Sequence, residues 1–132
     1  MTLAQFIMSE RRSGNWQLDF AESTARRALV HGHCHEKSFD AFEDVLEALR
    51  LIPNLEVEAV QSSCCGMAGS FGHCVEHYDV SMAMAEAALL PAVRSADPET
   101  IVVADGTSCR HQIKDGTSRE AMHLARVLAE AI

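Results

Sequence analysis

Basic residues are scarce in this chain. Eleven Lys and Arg stand against 19 Asp and Glu, for a formal net charge of −8, and no basic run is longer than a pair. A nucleic-acid binder gains affinity by neutralising phosphates with Lys and Arg, so that class is disfavoured, and a membrane-surface role meets the same objection. Long hydrophobic runs are missing too: no uncharged stretch reaches the roughly 20 apolar residues that cross a bilayer. Residues Met1 to Arg12 lack both a basic segment ahead of their apolar positions and a small-residue cleavage site, so they do not read as a signal peptide. The expected compartment is therefore the cytoplasm, where cysteines stay reduced. Five cysteines in 132 residues also fall short of the about 8–10% of a secreted disulfide scaffold. Thiols kept for metal or redox chemistry become the better question, and an odd count leaves at least one as a bystander.

What is present is an ordinary globular composition, 48% hydrophobic and 23% charged, in 14.4 kDa. That is enough for one hydrophobic core and too little for two, and no linker or low-complexity break divides it. Residues 1–132 are read as a single domain. Leu3, Phe6 and Ile7 form an apolar-periodic patch that predicts a short helix, ended by the turn Ser13-Gly14-Asn15. Ala28-Leu29-Val30 reads as a buried strand ending at Gly32. Ser38 is a candidate N-cap for a helix carrying Phe42, Val45, Leu46 and Leu49 at helical spacing and stopping before Pro53. The pattern then repeats: strand Val57 to Val60, a glycine-rich turn from Gly66 to Gly72, and a long helix from about Asp79 to Arg94 that Pro91 kinks or ends. A third strand, Thr100 to Ala104, precedes a capping-box match, Thr117-Ser118-Arg119-Glu120, leading into a helix with Met122, Leu124, Val127 and Leu128. The predicted fold is α/β: a small three-layer parallel sheet with β-α-β-α-β-α order and an extra N-terminal helix.

On this outline Cys34 falls just past the first strand, Cys64 and Cys65 just past the second, and Cys109 just past the third. All belong to the carboxyl edge of a parallel sheet, where loops converge and ligands bind. Four soft thiolates complete either an iron–sulfur cluster or a zinc site. The plain alternative is that they are small buried hydrophobes. The adjacent pair favours a multi-iron cluster, since neighbouring residues of a strand point opposite ways and both reach one centre only where the chain turns. Gly66, Gly69 and Gly72 give that turn its freedom and let a bulky group approach.

Cys74, beyond the glycine turn, reads as the bystander, a thiol at a helix start. His31, His33 and His35 share one parity around Cys34, and His111 follows Cys109. His33 and His35 flank a candidate ligand and are the histidines best placed to hydrogen-bond its sulfur or to carry protons coupled to electron transfer. His31, His73, His77 and His123 rank below them. Met82 and Met84 read as packing residues, and Arg110 as a solvated or helix-capping cation.

Three strings carry a resemblance: His31-Gly32-His33-Cys34-His35; Cys64-Cys65-Gly66-Met67-Ala68-Gly69-Ser70-Phe71-Gly72; and Asp105-Gly106-Thr107-Ser108-Cys109-Arg110-His111-Gln112. Together they resemble the cysteine-rich CCG domain, found in a heterodisulfide reductase, in the iron–sulfur components of glycolate oxidase and anaerobic glycerol-3-phosphate dehydrogenase, and in the C-terminal part of fused FAD-linked oxidases acting on D-2-hydroxy acids such as lactate or 2-hydroxyglutarate. The resemblance implies a [4Fe–4S]-type cluster on Cys34, Cys64, Cys65 and Cys109, with His33, His35, Gly66, Gly69 and His111 around it. It further implies FAD on a partner domain or subunit, and electrons relayed from that flavoprotein to a quinone or other carrier. The family pattern ends in C-x-x-C, whereas Gly106 stands at the first of those positions here. Family members also carry two copies of the motif and a ferredoxin-like part, so one copy implies a component of a larger oxidoreductase, inactive alone, and peripheral to the inner membrane only through partners. The rival readings are a non-catalytic zinc- or partner-binding domain and a thiol–disulfide redox protein, the latter weakened by the missing C-x-x-C.

Overall fold

Two short apolar runs and one strand that alternates charged with apolar residues build the sheet. Strands β1 (Arg27–His31), β2 (Glu56–Ala59) and β3 (Ile101–Ala104) are all parallel, in the order β2-β1-β3. Ala28 pairs with Val57 on one side and with Ile101 on the other, and at the carboxyl end His31 lies opposite Ala104. The computed structural model describes residues 2–16, 19–22, 26–32, 42–60 and 74–131. Among them are six α-helices: α1 (Leu3–Arg12), α2 (Phe42–Leu49), α3 (Tyr78–Glu86), α4 (Leu89–Ser95), α5 (Thr107–Gly116) and α6 (Leu124–Glu130). None is long and apolar enough to cross a membrane.

The strand order decides where the helices go. From β1 the chain crosses to β2 on one side; from β2 it crosses back over β1 to β3 on the other. Right-handed crossovers in opposite directions put their helices on opposite faces. Accordingly Ala28, Val30 and Val103 pack with Ile7, Val45, Leu49, Leu124 and Val127, from α1, α2 and α6. Leu29, Val102 and Ala104 pack with Ala85, Leu89, Leu90, Val93 and Ile113, from α3, α4 and α5. The three expected layers are there.

Helix α1 begins in a capping box, the Thr2 hydroxyl accepting from Gln5 N at 3.2 Å while Gln5 Oε1 accepts from Thr2 N at 2.8 Å. Its inward residues are Ala4, Ile7 and Met8; Leu3 and Phe6 stay exposed. Gly14 ends it with φ +78°, a conformation that suits a residue without Cβ.

Two sequence expectations need correction. The long helix from Asp79 to Arg94 is two helices, parted at Ala87 and Ala88. Pro91 has no N–H to give the Ala87 carbonyl and its ring crowds that carbonyl, so it is accommodated in the first turn of α4 and the break falls before it. Arg94 holds the two pieces together, donating to both Glu86 carboxylate oxygens at 2.7 and 2.8 Å and to the Gly116 carbonyl at 2.6 Å. These hydrogen bonds keep the Glu86 carboxyl below its ordinary range.

The second correction concerns the capping box at Thr117. No helix starts there. Arg119 reaches the carbonyls of Ala96 at 2.9 Å and Asp97 at 3.0 Å, which holds this stretch extended. Met122 then bonds along β3 in parallel, its N–H to the Val102 carbonyl at 2.8 Å and its carbonyl to Ala104 N at 3.0 Å. Helix α6 starts only at Leu124, capped by His123 Nδ1 accepting from Ala125 N at 3.0 Å. The helix that follows β3 directly, α5, was not expected from the sequence. Ser38 lies outside the described residues, although the helix it was expected to open is present as α2.

Candidate metal centre

In a parallel sheet of order β2-β1-β3 the connections leaving β1 and β3 go to opposite faces. The chain therefore parts at the carboxyl ends of these two neighbours, which is the switch point where open α/β sheets bind ligands. His31 and Gly32 end β1 there, both buried; Asp105 and Gly106 carry β3 into α5.

Cys109 enters from α5. Gly106 is the N-cap, so Cys109 is the third residue of the first helical turn, and it is 3% exposed, packed with Leu29, Ala104 and Ile113. A thiolate on the first turn lies near the unpaired amides and positive dipole end of its helix, an effect of about 0.3–1 kcal/mol. Arg110, next in the chain, is partly exposed. It folds back onto the end of β3, donating to the carbonyls of Ala104 at 3.0 Å and Asp105 at 2.7 Å. A guanidinium thus sits at the edge that carries Cys109. One turn further on, buried Gln112 donates to Ser81 Oγ at 3.0 Å and ties α5 to α3.

Asp105 braces the other face. Its Oδ1 accepts from Leu124 N at 2.9 Å, joining the end of β3 to the start of α6, with His123 Nε2 3.8 Å away. Asp105→Ala is expected to cost about 1 kcal/mol through loss of that capping bond, measurable as a lower urea midpoint with an unchanged slope.

Of the residues expected around a metal, Cys34, Cys64, Cys65, His33, His35, Gly66 and Gly69 lie outside the described residues. Among the described residues no three His, Cys, Asp or Glu side chains gather as a metal site. Cys109 stands at the carboxyl edge as expected. His111 is exposed on α5, two residues and about 200° around the helix from Cys109. Cys74 is an exposed thiol at the start of a 3₁₀ turn, Val75–His77, ahead of α3. Met82 packs on the α3–α5 side, while Met84 is exposed.

Sequence reasoning undervalued His31. Its ring is 2% exposed, and neither Nδ1 nor Nε2 has a hydrogen-bond partner among the described residues. The signal was available: a histidine closing an apolar central strand, at a position where parallel sheets place aliphatic residues. A cavity of about 850 Å³ among the described residues lies at the opposite edge, among the strand starts, with Arg27, Glu56 and Thr100 in its wall. It holds charges of both signs and none of the cysteines.

No family model matches the chain. No solved structure matches it either. Among curated proteins it is 34% identical over 106 residues to one of the subunits of the anaerobic glycerol-3-phosphate dehydrogenase of Escherichia coli, an alignment covering 80% of this chain and 26% of that one. It is 32% identical over 77 residues to D-2-hydroxyglutarate dehydrogenase of Escherichia coli, covering 58% of this chain and 8% of the relative. The Pseudomonas putida protein of the same name is 32% identical over 124 residues, covering 87% and 12%. The chain thus spans about a quarter of the first relative and about a tenth of the others. What it is similar to is a segment of dehydrogenases, one of them a subunit of a larger enzyme.

Proposed function

We propose that this chain is an electron-transfer module of a flavin-linked dehydrogenase, with Cys34, Cys64, Cys65 and Cys109 holding a [4Fe–4S]-type cluster at the carboxyl edge of the sheet. The observation that carries the reading is the buried Cys109, set on the first turn of α5 at the switch point beside a guanidinium. Similarity to segments of dehydrogenases supports it. The donor chemistry fits as well. Soft thiolates suit iron–sulfur clusters, and the buried imidazole of His31, without a partner among the described residues, is a further polar group for such an occupant to satisfy.

Once bound, the cluster supplies one-electron transfer. Everything else falls to the protein. Sequence separation is compatible with the reading, since Cys34 follows His31 by three residues, a reach of at most about 10 Å, and Cys64 follows Val60 by four. Cys109 and Arg110 are held by a helix docked through Gln112 and Ser81, so the charge around the site is set before anything binds. Both relatives are named for oxidation of an alcohol carbon, a two-electron reaction assigned here to flavin on a partner domain or subunit. This chain would pass those electrons singly to a quinone or other carrier.

The test is anaerobic reconstitution of the purified chain with ferrous iron and sulfide, followed by assays of iron, sulfide and zinc. Broad absorbance near about 400 nm with about four irons per chain is the expected result. A colourless, zinc-loaded protein would overturn the reading.

A further inference from the structure

Among the polar groups of the sheet, His31 has no account in the fold. Strand parity puts its side chain on the same face as Leu29, and register puts it beside Ala104; both neighbours pack with Cys109. A neutral imidazole has one N–H to give and one lone pair to receive, and here both nitrogens are shut away from water without a partner among the described residues. Leaving buried polar atoms unmet is a standing cost that a leucine of similar bulk would avoid. The ring sits at the end of the central strand, three residues before Cys34 and on the helical face that supplies Cys109.

We infer that His31 is a positioning residue for the occupant of the crevice, donating a ring N–H to one of its sulfur atoms. The inference rests on the electron-transfer reading above and adds to it a residue that the thiolate set does not require. A hydrogen bond to sulfur offsets negative charge on the reduced centre and raises its reduction potential. His31 is thereby assigned a tuning function, and its cost to the metal-free fold follows from that function.

The experiment uses the full 132-residue chain as wild type, His31→Leu and His31→Gln, each metal-free and after anaerobic loading with ferrous iron and sulfide. Metal-free His31→Leu should melt about 3–8 °C higher than wild type, because an unmet imidazole has been removed. Loaded His31→Leu should hold as much iron as wild type but be reduced about tenfold less favourably, a potential lower by about 59 mV for one electron. His31→Gln, which restores an N–H, should recover most of that shift. A lower melting temperature for metal-free His31→Leu would mean that the imidazole is already partnered, and an unchanged potential would mean that it does not meet the centre; either overturns the assignment. Loss of iron in His31→Leu would make the residue a ligand and overturn its role as donor. Failure of the wild-type chain to take up iron is read before any variant is compared, and it removes the electron-transfer reading itself.

Discussion

Cys109→Ser should fold and hold no cluster. The side chain is buried on the first turn of α5, whose own position is fixed by the Gln112–Ser81 bond and by Ile113 in the core, so the exchange of sulfur for oxygen leaves the packing in place. A hydroxyl does not ionise near neutral pH and is a poor ligand for iron, so iron per chain after anaerobic loading is expected to fall from about four to background. The fold itself should lose only about 1–2 kcal/mol, read from urea unfolding of the metal-free protein. Cys74→Ser is the matched control: the thiol is exposed, and both iron content and stability, within about 0.5 kcal/mol, should be unchanged. If Cys74→Ser empties the site and Cys109→Ser does not, the ligand assignment is wrong.

Leu90→Ala should destabilise the protein by about 2–5 kcal/mol, the largest stability effect expected of a single substitution here. Leu90 is fully buried in the first turn of α4, on the side of the sheet that also carries Cys109. Its Cδ1 lies where a Cβ at Gly116 would come within 2.5 Å, so the end of α5 rests directly on this leucine. The two positions should therefore be coupled. Gly116→Ala alone crowds the leucine tip, which must shift to admit the methyl; placed in the Leu90→Ala background, the same methyl enters the vacated space. The double variant is expected to be more stable than the sum of the two singles predicts, by about 0.5 kcal/mol or more, measured as a double-mutant cycle in urea.

The strands were legible because β1 and β3 are short apolar runs and β2 alternates apolar with charged residues, and the parallel order followed from their alternation with helices. Ala28-Leu29-Val30 and Ile101 to Ala104 have no competing reading at that length. Helix α2 was legible for the opposite reason, its apolar residues returning every three or four positions. The errors came where a local signal competed with a distant contact. Thr117 to Glu120 has the letters of a capping box, but Arg119 finds its acceptors on Ala96 and Asp97 across the fold, and Met122 finds an open strand edge. Helix α5 was missed because its inward face is made of Cys109, Gln112 and Ile113, only one of them an aliphatic residue that a periodicity scan would weight. The site divides in the same way. Spacing placed Cys109 at the carboxyl edge; a histidine closing an apolar strand marks His31 as unusual, whereas its lack of a partner among the described residues depends on what surrounds the ring in the fold.

The sheet margins also bear on how such a module would join a larger assembly. Beyond β3 the hydrogen-bonding groups of Val102 and Ala104 are already taken by Met122. On the other margin β2 alternates exposed Glu56 and Glu58 with half-buried Val57 and Ala59, and charges on an outer strand discourage a further strand from adding. Among the described residues, neither margin invites growth of the sheet by strand addition. Contacts with other protein are thereby left to the helices and to the carboxyl edge, where Cys109 stands on the first turn of α5.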